Sequence, residues 1–239
     1  RNPALLPPVD SIGARAAERA TRRLGSRSVP TCDVPVMFAA EIAGGLLGHC
    51  MAAISGGNLY RHSSFLEGAL HSRIFPAWMT ISEHPLLRGE TGSAPIDGDG
   101  LPTQEKSFVQ NGELVSYVLG TYSARKLGLR STANAGGVRN LRCTSTHSLD
   151  ELLQQMHTGL LVTDVMGQGV NIVTGDYSRG AAGFWVENGA IQFPVSEITI
   201  AGNLKNMLAN LVGVGTDIDP RGNVQTGSIL LASMKVGGK

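Results

Sequence analysis

The sequence lacks an excess of charge of either sign. Lys and Arg total 20, Asp and Glu total 19, and the formal net charge is +1 at pH 7. A dedicated nucleic-acid-binding domain carries a clear basic excess, so the composition argues against a nucleic-acid partner. No run of about 18 apolar residues occurs and no secretion signal is visible, so we expect neither a membrane span nor a membrane partner.

Cysteines and aromatic residues are also scarce. The three cysteines, Cys32, Cys50 and Cys143, are odd in number and form no Cys-x-x-Cys pair. This pattern argues against a disulfide framework and indicates a reducing compartment, so we expect the chain in the cytoplasm. Aromatic residues make up 5% of the chain, whereas 31 of its 239 residues are glycine. Such a composition predicts tight turns and closely approaching backbone segments.

The hydrophobic residues, 42% of the chain, indicate a folded protein. Their patterning predicts a basic helix from Asp10 or Ser11 to Leu24 and an apolar helix over residues 39–54. Further helices are predicted over residues 58–70, 123–127, 149–157 and 204–212. Strands are predicted over residues 34–38, 78–82, 105–110, 113–119, 160–166, 170–174, 183–186, 190–193, 198–201 and 228–236. The sum is an α+β fold with a large, mostly antiparallel β-sheet and flanking helices.

Three local motifs sharpen this outline. Asn111-Gly112 and Asn188-Gly189 each lie between apolar runs and predict β-hairpins. Ser148 and Glu151 have the spacing of a capping box at the start of a helix.

The first helix carries four arginines. We interpret them as a solvent-exposed face in preference to a binding patch, because charge runs on helices usually face water. They are Arg15, Arg19, Arg22 and Arg23.

Few residues stand out as candidates for chemistry. His49-Cys50 with His62 is the densest group of metal-binding residue types, but no ligand spacing ties these residues together. Ser178 lies in Gly-Asp-Tyr-Ser-Arg-Gly, which predicts a glycine-flanked turn between strands and lacks the strand-to-helix elbow of a serine nucleophile. Asp176 and Arg179 of that segment are expected to pair or to bind a partner chain. Nucleotide-binding loops are absent.

Longer segments resemble a known family. They are AISGGNLYRHSSFL (53–66), GTYSARKLGLRSTANAGG (120–137), MGQGVNIVTGDYSRG (166–180), and GDYSRGAAGFWVENGAIQFPVSEITI (175–200) with the following AGNLKNMLANLVGVGTDI. They resemble the C-terminal domain of the TldD/PmbA family, in its PmbA/TldE branch. The resemblance implies a single domain over residues 9–239, preceded at residues 1–8 by a linker from an N-terminal domain that this chain lacks.

The resemblance also implies a function. TldD and TldE form a heterodimeric cytoplasmic metallopeptidase that digests unfolded or short peptides and matures modified-peptide precursors such as microcins. The TldD-type subunit holds zinc through a His-Glu-x-x-x-His helix and a later cysteine, and its glutamate acts as the general base. The expected partners are therefore a TldD-like subunit, a second copy of this chain and a peptide substrate.

Carried over to this sequence, the zinc motif is degraded. Ala40 and Gly45 occupy the two histidine positions, Glu41 keeps the glutamate, and no cysteine follows Cys143. The resemblance therefore implies no metal in this chain and zinc in the TldD-type partner. Glu41 is then a relic or a structural carboxylate.

The face that meets a peptide or partner is assigned to the glycine-rich turns. An exposed sheet edge there would accept an extended peptide by strand addition. The candidates are Gly167, Gly169, Asp176, Tyr177, Ser178 and Arg179. Two alternatives stay open: an independent hydrolase that uses Ser178 or a His49/His62 metal site, and a binding or assembly module without a link to proteolysis.

Overall fold

The structure, a computed structural model, describes residues 6–238, so the linker predicted over residues 1–8 lies mostly outside the described residues. It confirms the α+β class. The helices are α1 (Val9–Thr21), α2 (Ala40–Ala53), α3 (Gly56–Leu59), α4 (Thr121–Lys126), α5 (Leu149–Met156) and α6 (Leu204–Ala209). The strands are β1 (Cys32–Phe38), β2 (Ile81–Glu83), β3 (Lys106–Gln110), β4 (Glu113–Leu114), β5 (Leu141–Cys143), β6 (Gly159–Met166), β7 (Asp176–Glu187), β8 (Ala190–Asn203), β9 (Leu211–Val214), β10 (Val224–Gln225) and β11 (Ile229–Gly237).

Five of the longer strands close into a barrel. The hydrogen-bonded order is β1-β6-β7-β8-β11, and β11 pairs back onto β1. All of these pairs are antiparallel except β1 with β6, which run parallel. The short strand β9 adds to the first half of β11. The expected antiparallel character is therefore confirmed, with one parallel pair.

The remaining strands form a second sheet that the sequence did not separate from the first. Its order is β10-β5-β2-β3-β4, and its two edge strands have two residues each. Such short edges offer few unpaired backbone groups to another chain.

Helix α2 connects the two sheets through the main core. Its buried residues, among them Leu47 and Cys50, belong to one hydrophobic cluster with Val36 of the barrel and Ile81 of the second sheet. At Gly44 the helix approaches β10, and a Cβ atom there would lie at an ordinary contact distance of 3.4 Å from the carbonyl oxygen of Val224. The predicted helix over residues 39–54 is confirmed.

The local motifs are confirmed as well. Asn111 and Gly112 both have positive φ and connect β3 to β4, although β4 is shorter than the predicted strand. Ser148 accepts a hydrogen bond from the Glu151 backbone, and the Glu151 carboxylate accepts one from the Ser148 backbone, which completes the capping box.

Three predicted elements are wrong. The helix over residues 58–70 is only the single turn α3 followed by turns, because His62 and Gly68 take positive φ. Residues 170–174 form turns instead of a strand. The supposed glycine-flanked turn ends at Gly175, and Asp176–Gly180 is already strand β7.

Within residues 6–238, no helix is both long and apolar enough to cross a membrane.

Candidate functional site

A cleft of about 610 Å³ lies between α1 and the beginning of α2. Its walls combine basic, acidic and apolar side chains. The lining comprises Pro7, Arg15, Arg19, Arg22, Arg23, Ala39, Ala40, Glu41, Leu149, Leu161, Thr163, Phe184, Asp217, Ile218, Asp219, Pro220, Arg221 and Ser228.

The start of α2 is fixed to the opposite wall of this cleft by a buried serine. The residue before the helix, Ala39, has no side chain that can cap it. Ser228 takes over this task, since its Oγ accepts a hydrogen bond from the Ala40 backbone at 3.1 Å. The same hydroxyl donates to Asp217 at 2.7 Å, and the Ser228 backbone donates to the other Asp217 oxygen at 2.9 Å. The first turn of α2, which carries Glu41, is thereby held beside the 217–221 loop.

Glu41 lies between two guanidinium groups. Its Oε1 accepts a hydrogen bond from Arg19 of α1 and lies 4.0 Å from Nη2 of Arg221. Arg221 also donates to both oxygens of Asp219, each at 2.8 Å. These bonds hold the pKa of the Asp219 carboxyl below its ordinary value. Glu41, Asp219 and the two arginines therefore form a charge network that links α1, α2 and the 217–221 loop.

The prediction that the arginines of α1 form a solvent-exposed face is only partly correct. All four are exposed, but all four also line the cleft. Arg22 stacks over the Phe184 ring, with its guanidinium carbon 5.0 Å from the ring centre. Arg23 makes long contacts of 3.4 Å to Asp164 and 3.3 Å to Thr163. The contact between Arg19 and Glu41 has no local sequence signal, because it joins two elements that meet only in the folded chain.

The residues of this cleft do not fit zinc. Zinc sites in proteins use histidine, cysteine or carboxylate ligands, usually three or four together. Ala40 and Gly45 supply no ligand atom, and Glu41 is occupied by arginines. Nowhere in residues 6–238 do three His, Cys, Asp or Glu side chains form a group that could hold a metal ion.

The alternative metal candidates His49, Cys50 and His62 belong to no such group of three among the described residues. Cys50 is fully buried, and burial raises the pKa of its thiol to about 12. His62 is exposed and contacts Glu67 at 2.5 Å. His49 lies on α2 about 12 Å along the helix axis from Glu41, given a rise of ~1.5 Å per residue.

His49 opens onto a second, smaller cavity of about 150 Å³. Gly167 and Arg179 line it too, so the structure brings two of the predicted binding residues together there. Burial, assisted by the Arg179 charge, lowers the pKa of His49. Tyr177 contacts the His49 ring edge to face at 6.1 Å, and burial raises the pKa of its hydroxyl. The Nε atom of Arg179 is buried without a hydrogen-bond partner among the described residues.

The other predicted residues fall on different faces of β7. Side chains alternate along a strand, so Tyr177 and Arg179 face one side and Asp176 and Ser178 the other. Asp176 therefore does not pair with Arg179, and instead accepts hydrogen bonds from Thr174 at 2.6 Å and Asn203 at 3.3 Å. That prediction of a pair was wrong.

Ser178 is not arranged as a nucleophile. Its hydroxyl has no hydrogen-bond partner in the described part of the chain, so no base is aligned with it. Its backbone N–H donates to the carbonyl of Gly169 at 2.6 Å. A side chain at Gly169 would collide with the Ser178 carbonyl. Residues 169–171 thus cover one edge of β7 and β8 covers the other, which leaves no free edge there for strand addition.

Comparison with known proteins decides the family. Residues 31–238 match the model described as the PmbA/TldA metallopeptidase C-terminal domain. The chain belongs to the PmbA/TldD metallopeptidase family. It is 52% identical over 229 residues to the metalloprotease PmbA of Escherichia coli O157:H7, which covers 95% of this chain and 51% of that protein. A PmbA homolog of Haemophilus influenzae is 53% identical over the same fractions. The chain thus spans about half the length of these PmbA relatives.

Two solved structures have the same fold as this chain. A Thermotoga maritima protein described as a modulator of a DNA gyrase superposes with a TM-score of 0.92 at 34% identity, covering 99% of this chain and 57% of that chain. TldE from Thermococcus kodakarensis superposes with a TM-score of 0.83 at 23% identity, covering 96% and 56%.

Proposed function

We propose that this chain is the metal-free, PmbA/TldE-type part of a two-subunit metallopeptidase whose zinc is held by a TldD-type subunit. Residues 9–239 would be the C-terminal domain of that protein, and the cytoplasm is its expected location. The proposed substrates are unfolded or short peptides and modified-peptide precursors.

The observation that carries this proposal is the state of Glu41. A general base must be free to take a proton from water within hydrogen-bond reach. At Glu41, Oε1 already accepts a hydrogen bond from Arg19 and lies 4.0 Å from Nη2 of Arg221, so this oxygen is engaged by arginines. With Ala40 and Gly45 at the motif's histidine positions, Glu41 has a structural task and no metal-bound water to activate.

The surface around β7 and the 167–171 segment is the proposed partner-facing surface. Asp176 and Ser178 are exposed on it, whereas Tyr177 and Arg179 support it from the inner face. Because both edges of β7 are occupied there, we assign this surface to subunit contact and not to strand addition by a peptide.

Reconstitution tests the proposal. The protein and a TldD-type subunit would be assayed separately and together on an unfolded peptide, with zinc measured by elemental mass spectrometry. We expect no zinc and no activity for this protein alone, and peptidase activity for the mixture. Glu41→Gln should leave the kcat of the mixture within about twofold. A loss of about two orders of magnitude, typical for removal of a general base, would contradict the proposal.

The same assay separates the alternatives. Activity of this protein alone that disappears in Ser178→Ala or His49→Ala would indicate an independent hydrolase. A complete failure to support any TldD-type subunit would favour an assembly module without a link to proteolysis.

A further inference from the structure

Two guanidinium groups of the cleft between α1 and α2 make no ion pair or hydrogen bond with another described residue. They are those of Arg15 and Arg22. Arg22 nevertheless has a defined neighbour, because its guanidinium carbon lies 5.0 Å from the centre of the Phe184 ring in a cation–π contact. Such a contact uses the charge of the guanidinium but none of its N–H donors, so these donors stay available to a ligand.

The acidic groups of the cleft are already engaged elsewhere. Glu41 contacts Arg19, and Asp219 receives two hydrogen bonds from Arg221. Both oxygens of Asp217 accept hydrogen bonds from Ser228, so this carboxylate is directed at the start of α2. The charges of Arg15 and Arg22 are thus not neutralised by the walls of the cleft, in a chain whose formal net charge is only +1.

The rest of the cleft is suited to an apolar side chain. Its volume of about 610 Å³ lies within the range of roughly 300–1,000 Å³ that is usual for sites of small ligands. Leu149, Leu161, Phe184 and Ile218 contribute apolar surface to it. A ligand that fits both properties carries a carboxylate next to an apolar group.

We propose that this cleft binds a peptide through a carboxylate, with Arg15 and Arg22 as the residues that contact it. Arginine is suited to this task because its planar fork matches the two oxygens of a carboxylate. That the ligand is a peptide rests on the proposed function; that it is a carboxylate rests on the cleft itself. The carboxylate is either the C-terminal group of the peptide or an acidic side chain within it.

Direct binding to the chain tests this proposal. The probes are three hexapeptides that carry an uncharged fluorophore at the N-terminus and share an otherwise identical, uncharged sequence. One ends in leucine as the free acid, one ends in leucine amide, and one ends in leucine amide and has an internal glutamate. Fluorescence anisotropy gives their Kd values. We expect at least one carboxylate-bearing probe to bind about tenfold or more tightly than the uncharged amide, since hydrogen bonds to charged groups are the stronger ones. Which one binds identifies the source of the carboxylate.

Arg15→Gln/Arg22→Gln should abolish that preference, and its fold can be checked by circular dichroism. Arg27→Gln is the matched control, because Arg27 also stacks on a ring, that of Phe193 at 4.9 Å, but does not line the cleft. It should bind as the unaltered chain does. Equal affinities for all three probes, or equal losses in both variants, would overturn the inference. The binding assay contains no TldD-type subunit, so it is independent of the reconstitution assay. Carboxylate binding without reconstituted peptidase activity would refute only the proposed function. Peptidase activity without carboxylate binding would refute only the assignment of the cleft.

Discussion

Two glutamates of this chain are paired with cations in opposite surroundings. Glu41 lies at the cleft with 34% of its side chain exposed, and its partner Arg19 is 46% exposed. Glu83 ends β2 in the second sheet and is 1% exposed. Lys106 donates to it at 2.8 Å, Asn134 at 2.9 and 3.0 Å, and the Arg139 backbone at 2.6 Å.

The difference shows which carboxylate contributes more to stability and which one has contacts that can rearrange. Exposed ion pairs contribute little to stability, because water and salt screen them and both side chains lose freedom. A buried carboxylate has lost its hydration and depends on its partners, so removing one of them is costly. The cleft around Glu41 can therefore change its contacts at small cost, whereas the Glu83 network cannot.

Breaking the buried network should give the largest effect. Glu83→Gln leaves the Lys106 ammonium, whose side chain is only 12% exposed, without its counter-charge. We expect a loss of about 3–5 kcal/mol in the free energy of unfolding, measured by urea denaturation monitored with circular dichroism.

A double variant tests whether this loss arises from the orphaned charge. Glu83→Gln/Lys106→Met removes both charges, and it should recover part of the stability, because a buried pair can be replaced by uncharged groups at low cost. No recovery would show that the amide and backbone hydrogen bonds to Glu83 matter more than the ion pair.

The pH dependence of stability tests a second buried carboxylate, that of Asp97. Asp97 is 5% exposed, and its pKa lies below the ordinary value. Burial alone would raise the pKa, but backbone N–H groups of Leu101, Ala135 and Asp99 donate to the carboxylate and outweigh burial. Because the pKa of Asp97 is lower in the folded chain, the ionised carboxylate stabilises the fold at every pH above the unfolded-state pKa of about 3.9. This stabilisation is lost as the pH falls through the lower pKa of the folded chain.

Asp97→Asn should therefore be less stable than the unaltered chain at pH 7. The difference between the urea midpoints of the unaltered chain and the variant should become steadily smaller below about pH 4. A difference that is independent of pH would show that the charge of Asp97 contributes nothing.

A smaller change in the free energy of unfolding, this time a gain in stability, is expected for a substitution one turn into α2. Gly45 is exposed, and a Cβ atom there would meet nothing within 4 Å. Gly45→Ala should stabilise the chain by about 0.5–1 kcal/mol through helix propensity, raising the thermal midpoint. Gly44→Ala is a comparison variant in the same helix, because its Cβ would lie 3.4 Å from the Val224 carbonyl oxygen, an ordinary contact distance, and should be tolerated. A loss of stability in Gly45→Ala would contradict this account.

Breaking the exposed pair should give the smallest effect. Glu41→Gln is expected to cost about 0.2–1 kcal/mol in unfolding free energy at low salt, and less at 1 M NaCl, where screening is nearly complete. The cost of Glu83→Gln should hardly respond to salt. If Glu41→Gln lost as much unfolding free energy as Glu83→Gln, the cleft would be as rigid as the buried network, and the proposed difference between the two carboxylates would be wrong.

The sequence was a good guide where the determinants are local. Asn111-Gly112, the Ser148 capping box and the apolar run of α2 were each predicted at the right place, because turn chemistry and helix periodicity depend on neighbours in the chain. The family resemblance also drew attention to Glu41, which lies in the lining of the cleft.

The sequence failed where distant segments meet. Gly180 resembled a turn residue, yet it lies within β7, where a Cβ atom would lie 2.7 Å from the Met166 side chain. Arg19 and Arg221 reach Glu41 from two other elements, so neither was recognised as a partner. Separating the barrel from the second sheet likewise required pairings that no local pattern encodes.

The closure of the barrel by β1 and β11 has a consequence for the order of folding during synthesis. Phe38 pairs with Ile229 and Cys32 with Val236, so the two strands come from opposite ends of the domain. After β6 has been synthesised and before β11 follows, β1 can pair with a neighbouring strand on one side only. Contacts between such distant segments slow folding, because a long loop must close before they form. The nascent domain therefore keeps an open edge at β1, with unpaired backbone groups, until β11 has been synthesised.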